Sequence, residues 1–350
     1  MCAGFKIVDI ALIIPTHNRP EMLAEAIYSL AQQQTIDLSQ VELIVIDDCS
    51  TPPVKTATLA KLFTGKLILH RNNTPCGLAY NRDKGVQLAS ADVVVHLDDD
   101  DKLAPNALST IAQFFTDHPN HESIFLGVKG FGKRKEDFEG VQNQALAKVM
   151  TLCRYDTIDN NVISFTDPLL PALLKSVPMC FQRIAVKKSL WIKTNDLRLQ
   201  AYQKSTSLKQ RENSMHTITG PLRDSEWAIY HSLLTSTALL NQPIYLQRCD
   251  GQGLVSVAAM RDRQVNAQIA IKHQLVKASE WMTEFQPFAP QVKRNMADTF
   301  FNEAYYQFHT LNNRKQALKY WIKSQIVQSK FIYCKFLISL CLPRALLSNK

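Results

Sequence analysis

The first hundred residues alternate between short apolar runs and polar segments of helical character. Asp9-Ile10-Ala11-Leu12-Ile13-Ile14-Pro15 is an apolar run closed by proline, which reads as a buried strand and a turn. Pro20-Glu21 opens a helix that runs to about Gln34, because proline suits the first turn of a helix. Val41–Ile46 is a second strand and ends in Asp47-Asp48-Cys49-Ser50. A helix over 54–63 leads to a third strand, Lys66–His70, then a loop over 71–77 and a helix to about Ala89. Val93-Val94-Val95-His96-Leu97 is a fourth strand and runs directly into Asp98-Asp99-Asp100-Asp101. Strand–helix alternation at this spacing predicts an α/β fold, Rossmann-like, with a doubly wound and mostly parallel sheet.

In such sheets ligands bind at the carboxyl ends of the strands. Each polar cluster falls at one of these ends: Thr16–Arg19, Asp47–Ser50, Arg71–Gly77 and Asp98–Asp101. Four adjacent carboxylates repel one another, and a hard divalent cation such as Mg²⁺ or Mn²⁺ would neutralise them. Taken alone, the aspartates also read as a solvated acidic loop capping the next helix. Four polar strand ends lining one crevice favour a site. Asp47 or Asp48 can accept hydrogen bonds from a base edge or a ribose hydroxyl, and Arg71 and Arg82 can grip phosphate in a forked geometry. Structural alternatives stay open for single residues: Asp48 as an Asx-turn residue, Arg82 as the partner of Asp83 or Asp98.

Beyond Ser123 the pattern is looser. Ser123–Lys129 reads as a strand, and 130–161 as a charged, irregular stretch around Lys133–Glu139. Residues 220–227 lead into a helix, and Pro243–Asp250 is the following strand. From Ala258 onward the sequence turns helical, over 264–280, 292–309 and 314–329. The last two form a hairpin across Asn312-Asn313 that is similar to one tetratricopeptide-like unit. Phe331–Pro343 is apolar but too short to span a bilayer. Flanked by Lys330, Lys335 and Arg344, it either lies in a membrane interface or packs on its own domain.

With 46% hydrophobic and 20% charged residues over 350, the chain is globular rather than disordered. No charged-then-apolar leader is evident and no run of 18 apolar residues occurs, so a cytoplasmic location is expected, peripheral at the inner membrane face if the tail binds lipid. The eight cysteines are scattered without a C-x-x-C pair, which fits reduced thiols rather than a disulfide frame or a zinc site. The net charge of +9 is segregated: 14 Lys+Arg face 5 Asp+Glu from Arg261 onward, and residues 1–260 are neutral. An anionic membrane surface would be met by that tail. Nucleic-acid binding is not expected, because the basic residues lie on amphipathic helices without aromatics on a strand platform.

Four stretches, in order, resemble family 2 glycosyltransferases of the GT-A fold over residues 9–108. Ile13-Ile14-Pro15-Thr16-His17-Asn18-Arg19 is similar to that family's opening strand and turn, and Val45-Ile46-Asp47-Asp48-Cys49-Ser50 to its second-strand acidic pair. Gly77-Leu78-Ala79-Tyr80-Asn81-Arg82-Asp83-Lys84-Gly85 resembles its G-L-x-x-A-R-N-x-G helix, with Asn81 and Asp83 as departures. Leu97-Asp98-Asp99-Asp100-Asp101-Lys102-Leu103 matches its L-D-x-D-D-x-L metal motif. The resemblance implies a nucleotide-sugar site built from Pro15, Thr16, Asn18, Arg19, Asp47, Asp48, Arg71, Gly77, Arg82, Asp98 and Asp99, with Arg248 reaching phosphate. Asp48 would read the base, Asp98 the ribose, and Asp100, with Asp98 and Asp101, a Mg²⁺ or Mn²⁺ ion on the diphosphate. Where relatives carry a Glu-Asp pair this chain has Ser225-Glu226, which makes Glu226 the expected general base and Asp224 the runner-up.

A domain over 1–258 would then hold a nucleotide-binding half, 1–120, and an acceptor half, 121–258, followed by a basic helical region over 259–350. The loop over 251–256 would close on the diphosphate. The implied reaction is metal-dependent, inverting transfer from a nucleotide-diphosphate sugar, UDP-sugar favoured, to a saccharide or lipid-linked saccharide of a bacterial surface polysaccharide. Two alternatives remain at this level. A nucleotidyltransferase would normally place a glycine-rich loop after its first strand, and Pro15–Arg19 contains no glycine. An inactive scaffold using its basic tail fits the weakened acid pair at Ser225-Glu226.

Overall fold

The computed structural model describes residues 9–205, 223–234, 237–250 and 257–329, together with 336, 337 and 340. The described residues of 9–199 and 223–250 form one compact unit; 200–205 and those from 257 onward belong to a second.

In the first unit, β1 (Ile10–Thr16) is buried at every position and lies inside the parallel half of the sheet. β2 (Val41–Asp47) and β3 (Lys66–Arg71) follow on one side of it, and β4 (Val93–His96) lies on the other, all parallel. Helices α1 (Pro20–Ala31), α2 (Thr56–Leu59) and α3 (Leu78–Leu88) make the crossovers. β1, β2 and β4 are buried on both faces and read as apolar runs, whereas β3 at the sheet edge is only half-buried. The helix expected over 54–63 shrinks to one turn in α2.

The rest of the unit is mixed. After β5 (Lys102–Leu103) and α4 (Ala107–Asp117) come β6 (Ser123–Phe131), α5 (Lys135–Leu152), the hairpin β7 (Tyr155–Asp159) and β8 (Val162–Phe165), α6 (Leu170–Leu173), β9 (Ile184–Lys187), α7 (Lys188–Ser205), α8 (Arg223–His231) and β10 (Ala238–Arg248). The sheet order is β3-β2-β1-β4-β9-β6-β10-β8-β7, with β5 paired to β10. β9 runs antiparallel to both β4 and β6, and thereby joins the parallel half to the mixed half.

The irregular stretch expected over 130–161 is instead the 18-residue helix α5 followed by the β7–β8 hairpin. Only Gln142 and Val149 of α5 are buried, so no apolar stripe announced it, while Glu136 and Asp137 suit its first turn. β10 begins five residues before the expected Pro243; that proline sits between two register shifts, where a missing N–H does no harm.

In the second unit, α9 (Val257–Ala278), α10 (Ala289–His309) and α11 (Arg314–Val327) appear as the periodicity predicts. Asn312 takes φ 56° between the last two, and the Asn313 side chain caps α11. Phe336 and Leu340 are buried against Ala304, Phe308 and Ala317, so these members of the apolar terminus face their own domain. The remainder of 331–343 and the loop over 251–256 lie outside the described residues, apart from Leu337. No described helix is long and apolar enough to cross a membrane.

Candidate active site

Strand order reverses between β1 and β4, with β2 and β3 on one side, and open α/β sheets place ligands at the carboxyl ends flanking such a reversal. A cleft of about 330 Å³ opens there. It is lined from β1 by Pro15, Thr16, His17 and Arg19, from β2 by Asp48, from α3 by Leu78 and Asn81, and from β4 by Asp98, Asp99 and Asp100. Seven of the expected site residues therefore converge on one cavity of ligand-pocket size. His17, Leu78 and Asn81 join them. His17 lay inside the Thr16–Arg19 cluster without a role, and Asn81 had been noted only as a departure.

Two neighbouring acids at the end of β2 do different work. Asp47 is fully buried and accepts from the Ser50 and Val54 backbone N–H groups and from Arg71. Asp47 and Arg71 were expected to face the nucleotide; the structure pairs them with each other to hold the 50–54 loop, and neither lines the cleft. The Asp48 carboxylate accepts from the Cys76 N–H at 2.7 Å, the Gly77 N–H at 2.9 Å and the Asn72 side chain at 2.8 Å. Burial works against that charge, and the Cys76, Asn72 and Gly77 hydrogen bonds outweigh it, so its pKa falls below the usual value. Gly77 takes φ 84°, a conformation that costs a side-chain-bearing residue more, and so delivers its N–H to Asp48. Asn18, at φ 55°, links the two loops: its N–H donates to Ser50 Oγ and its Oδ1 accepts from the Thr51 N–H.

The aspartate run meets four arginines. Thr16 Oγ1 donates to Asp99 Oδ2 at 2.7 Å, and Arg19 Nη1 bridges Asp99 Oδ1 at 3.1 Å and Asp100 Oδ2 at 3.0 Å. Arg82 pairs with Asp98 Oδ1 at 2.7 Å and Arg183 with Asp98 Oδ2 at 3.0 Å. Arg183 also lies 3.6 Å from Asp101 Oδ2, donates to Gln247 Oε1, and sits over the Tyr245 ring. Asp101 is fully buried; its Oδ1 accepts the Arg248 N–H and its Oδ2 the Tyr245 hydroxyl, both at 2.8 Å. The Arg248 guanidinium reaches the Asp100 carbonyl, Glu25 and Asp250. Arg82 and Arg248, expected at phosphate, are in this state committed to the site's own acids.

Charge follows from these contacts. Burial would raise the Asp98 pKa, but Arg183 and Arg82 hold it down at about 2. Burial dominates at Asp101 and raises it to about 7 despite Arg183. Asp98, Asp100 and Asp101 can each offer an oxygen within 4.8 Å of the others, a hard donor set that suits Mg²⁺ or Mn²⁺. Among the three, Asp100 is the least committed, with Arg19 as its carboxylate's recorded partner and 29% of its side chain exposed. That fits an ion held by one carboxylate and substrate phosphates better than a three-carboxylate cage.

The expected base is not among the residues lining the cleft. Glu226 is 1% exposed on α8, near Tyr230, and the Asp224 side chain lies outside the described residues. Arg183 was missed: a single arginine between Phe181-Gln182 and the apolar β9 carries no spacing signal. Asp83, the other departure from the family helix, accepts from Trp191 Nε1 and Asn195 Nδ2, which ties α3 to α7.

Residues 11–165 match the family model described as glycosyl transferase family 2. A Campylobacter jejuni GalNAc(5)-diNAcBac-PP-undecaprenol beta-1,3-glucosyltransferase is 36% identical over 133 residues, 37% of this chain and 42% of the relative. A putative colanic acid biosynthesis glycosyl transferase of Escherichia coli, WcaA, is 32% identical over 101 residues, 29% of this chain and 35% of its own. The chain thus spans under half the length of these curated relatives. The crystal structure of Staphylococcus aureus TarS 1–349 with UDP-GlcNAc superposes at a TM-score of 0.54, covering 92% of this chain and 82% of that one at 15% identity. At that identity the likeness shows the fold, which is GT-A.

Proposed function

We propose, from the match of residues 11–165 to the glycosyl transferase family 2 model, that the chain transfers a sugar from a nucleotide-diphosphate donor to a saccharide or lipid-linked saccharide. The observation that carries the reading is the cleft at the β1/β4 reversal, where Asp48 and Asp98–Asp100 converge. UDP-sugar is the favoured donor class, in line with the UDP-GlcNAc complex of the TarS neighbour. The C. jejuni relative's name supports a lipid-linked acceptor of bacterial glycan synthesis. The domain assignment is 1–258 for transfer and 259–350 for a basic region meeting an anionic membrane surface from the cytoplasmic side.

In this reading the base and ribose lie along Asp48, Asn81 and Asp98, and the diphosphate near Asp100. A Mg²⁺ or Mn²⁺ ion on Asp100, flanked by Asp98 and Asp101, would supply Lewis-acid neutralisation of the departing diphosphate. Arg19 holds the Asp99–Asp100 pair in place and presents a cation at the cleft mouth. Arg82 and Arg183 keep Asp98 ionised and oriented. Inversion needs a base on the acceptor side to take the hydroxyl proton. Glu226 on α8 is the base candidate for this step, with Asp224 of the same helix as the runner-up.

Donor hydrolysis and transfer by Asp100→Ala test the metal role, with a loss of at least about a hundredfold expected. Unchanged rates would refute it. Transfer lost in Glu226→Gln but retained in Asp224→Asn supports the base assignment; the opposite pattern moves the role to Asp224. Pyrophosphate release from a nucleoside triphosphate would instead make the protein a nucleotidyltransferase.

A further inference from the structure

Helix α11 packs inward through Ala317 and Ser324, both fully buried and seven residues apart. At 100° per residue the opposite side carries two parallel rows. Leu318, Ile322 and Ile326 form one, at i, i+4 and i+8, and are 41%, 44% and 78% exposed. Lys315, Lys319 and Lys323 form the other, one helical step round, and all three are exposed. Lys323 also lies over the Phe300 and Tyr320 rings, whereas Lys315 and Lys319 make no such ring contact among the described residues. Three outward aliphatics on one short helix are not needed by the core, which already takes Ala317, Phe308 and Phe336.

We propose that this outward face of α11 is a docking surface for an anionic lipid bilayer. The proposal deepens the membrane-facing part of the reading above and stands on the second unit alone. Protein-binding patches are enriched in aromatics, methionine and arginine and depleted in lysine, whereas this face is aliphatic and lysine. Lysine stems can lie along acyl chains while their ammonium groups stay at the headgroups. Charge points the same way: residues 304–350 contain eight Lys+Arg and no Asp or Glu, and Glu303 just before them is buried in α10. The terminal apolar segment, the other lipid-facing option in the sequence, turns Phe336 and Leu340 inward.

The test is sedimentation of the full chain with vesicles of phosphatidylcholine alone or mixed with phosphatidylglycerol. The expected result is salt-sensitive binding to the mixed vesicles only. Lys315→Gln/Lys319→Gln should weaken it about 30-fold, and Leu318→Gln/Ile322→Gln/Ile326→Gln at least about tenfold. Both variants replace exposed side chains and should keep wild-type circular dichroism and donor hydrolysis. Those readouts separate failure of docking from failure of the transferase reading. The proposal is overturned if the wild type ignores mixed vesicles, or if both variants bind them as the wild type does. It is also overturned if the triple variant instead abolishes a dimer seen by light scattering while leaving vesicle binding intact.

Discussion

One step along the chain separates the tasks of Asp47 and Asp48: one carboxylate is enclosed by its own loop, the other is turned to the cleft wall. Sequence alone gave the pair but not the division, because both readings use the same residues. Arg183 was not legible at all, yet it compensates Asp98 and Asp101 at 6% side-chain exposure. Arg183→Ala leaves those acids short of a buried cation and should cost about 3 kcal/mol of stability in denaturant melts. A loss below about 0.5 kcal/mol would mean the site tolerates the uncompensated charge. Away from the cleft, Glu42 accepts from Lys66 and Ser90 and from the Ser90 and Ala91 N–H groups. Burial would raise its pKa, but these bonds lower it to about 2. A depressed carboxylate contributes stability that is present above its unfolded pKa and lost as pH falls toward the folded value. Glu42→Gln should therefore narrow the stability gap between the two proteins as pH drops from about 5 to about 2. A gap that stays constant over that window would contradict the assignment.

Among the elements, the parallel strands β1, β2 and β4 were legible because burial on both faces writes a largely apolar run, and their polar ends then located the crevice. Helix α5 was not, since its polar, nearly unburied surface lacks the stripe that marks a packed helix. The direction of β9 was not legible for a related reason: at four residues, Ile184–Lys187 cannot show that it runs antiparallel between β4 and β6. Helix α3 is set against β1 by Gly85, where an added Cβ would stand 2.3 Å from Ile13 Cγ2. Gly85→Ala must push the helix or Ile13 aside, at about 1–3 kcal/mol by thermal or denaturant unfolding. Because α3 also carries Asn81 and Arg82, nucleotide affinity should fall with it. Unchanged stability and affinity would show that α3 does not rest on β1 this closely.

Over the whole molecule, charge and chemistry are segregated along the chain. Residues 1–260 are neutral and contain the cleft, while the excess of +9 lies beyond them. The account's central claim is that the cleft at the β1/β4 reversal binds a nucleoside diphosphate through a divalent ion on Asp100. Isothermal titration with UDP, GDP, CDP and dTDP, each in Mn²⁺ and in EDTA, tests this most directly. The predicted result is saturable binding of UDP in Mn²⁺ that disappears in EDTA and in Asp100→Ala. Binding of no nucleotide, or UDP binding equal in EDTA and in Asp100→Ala, would contradict it.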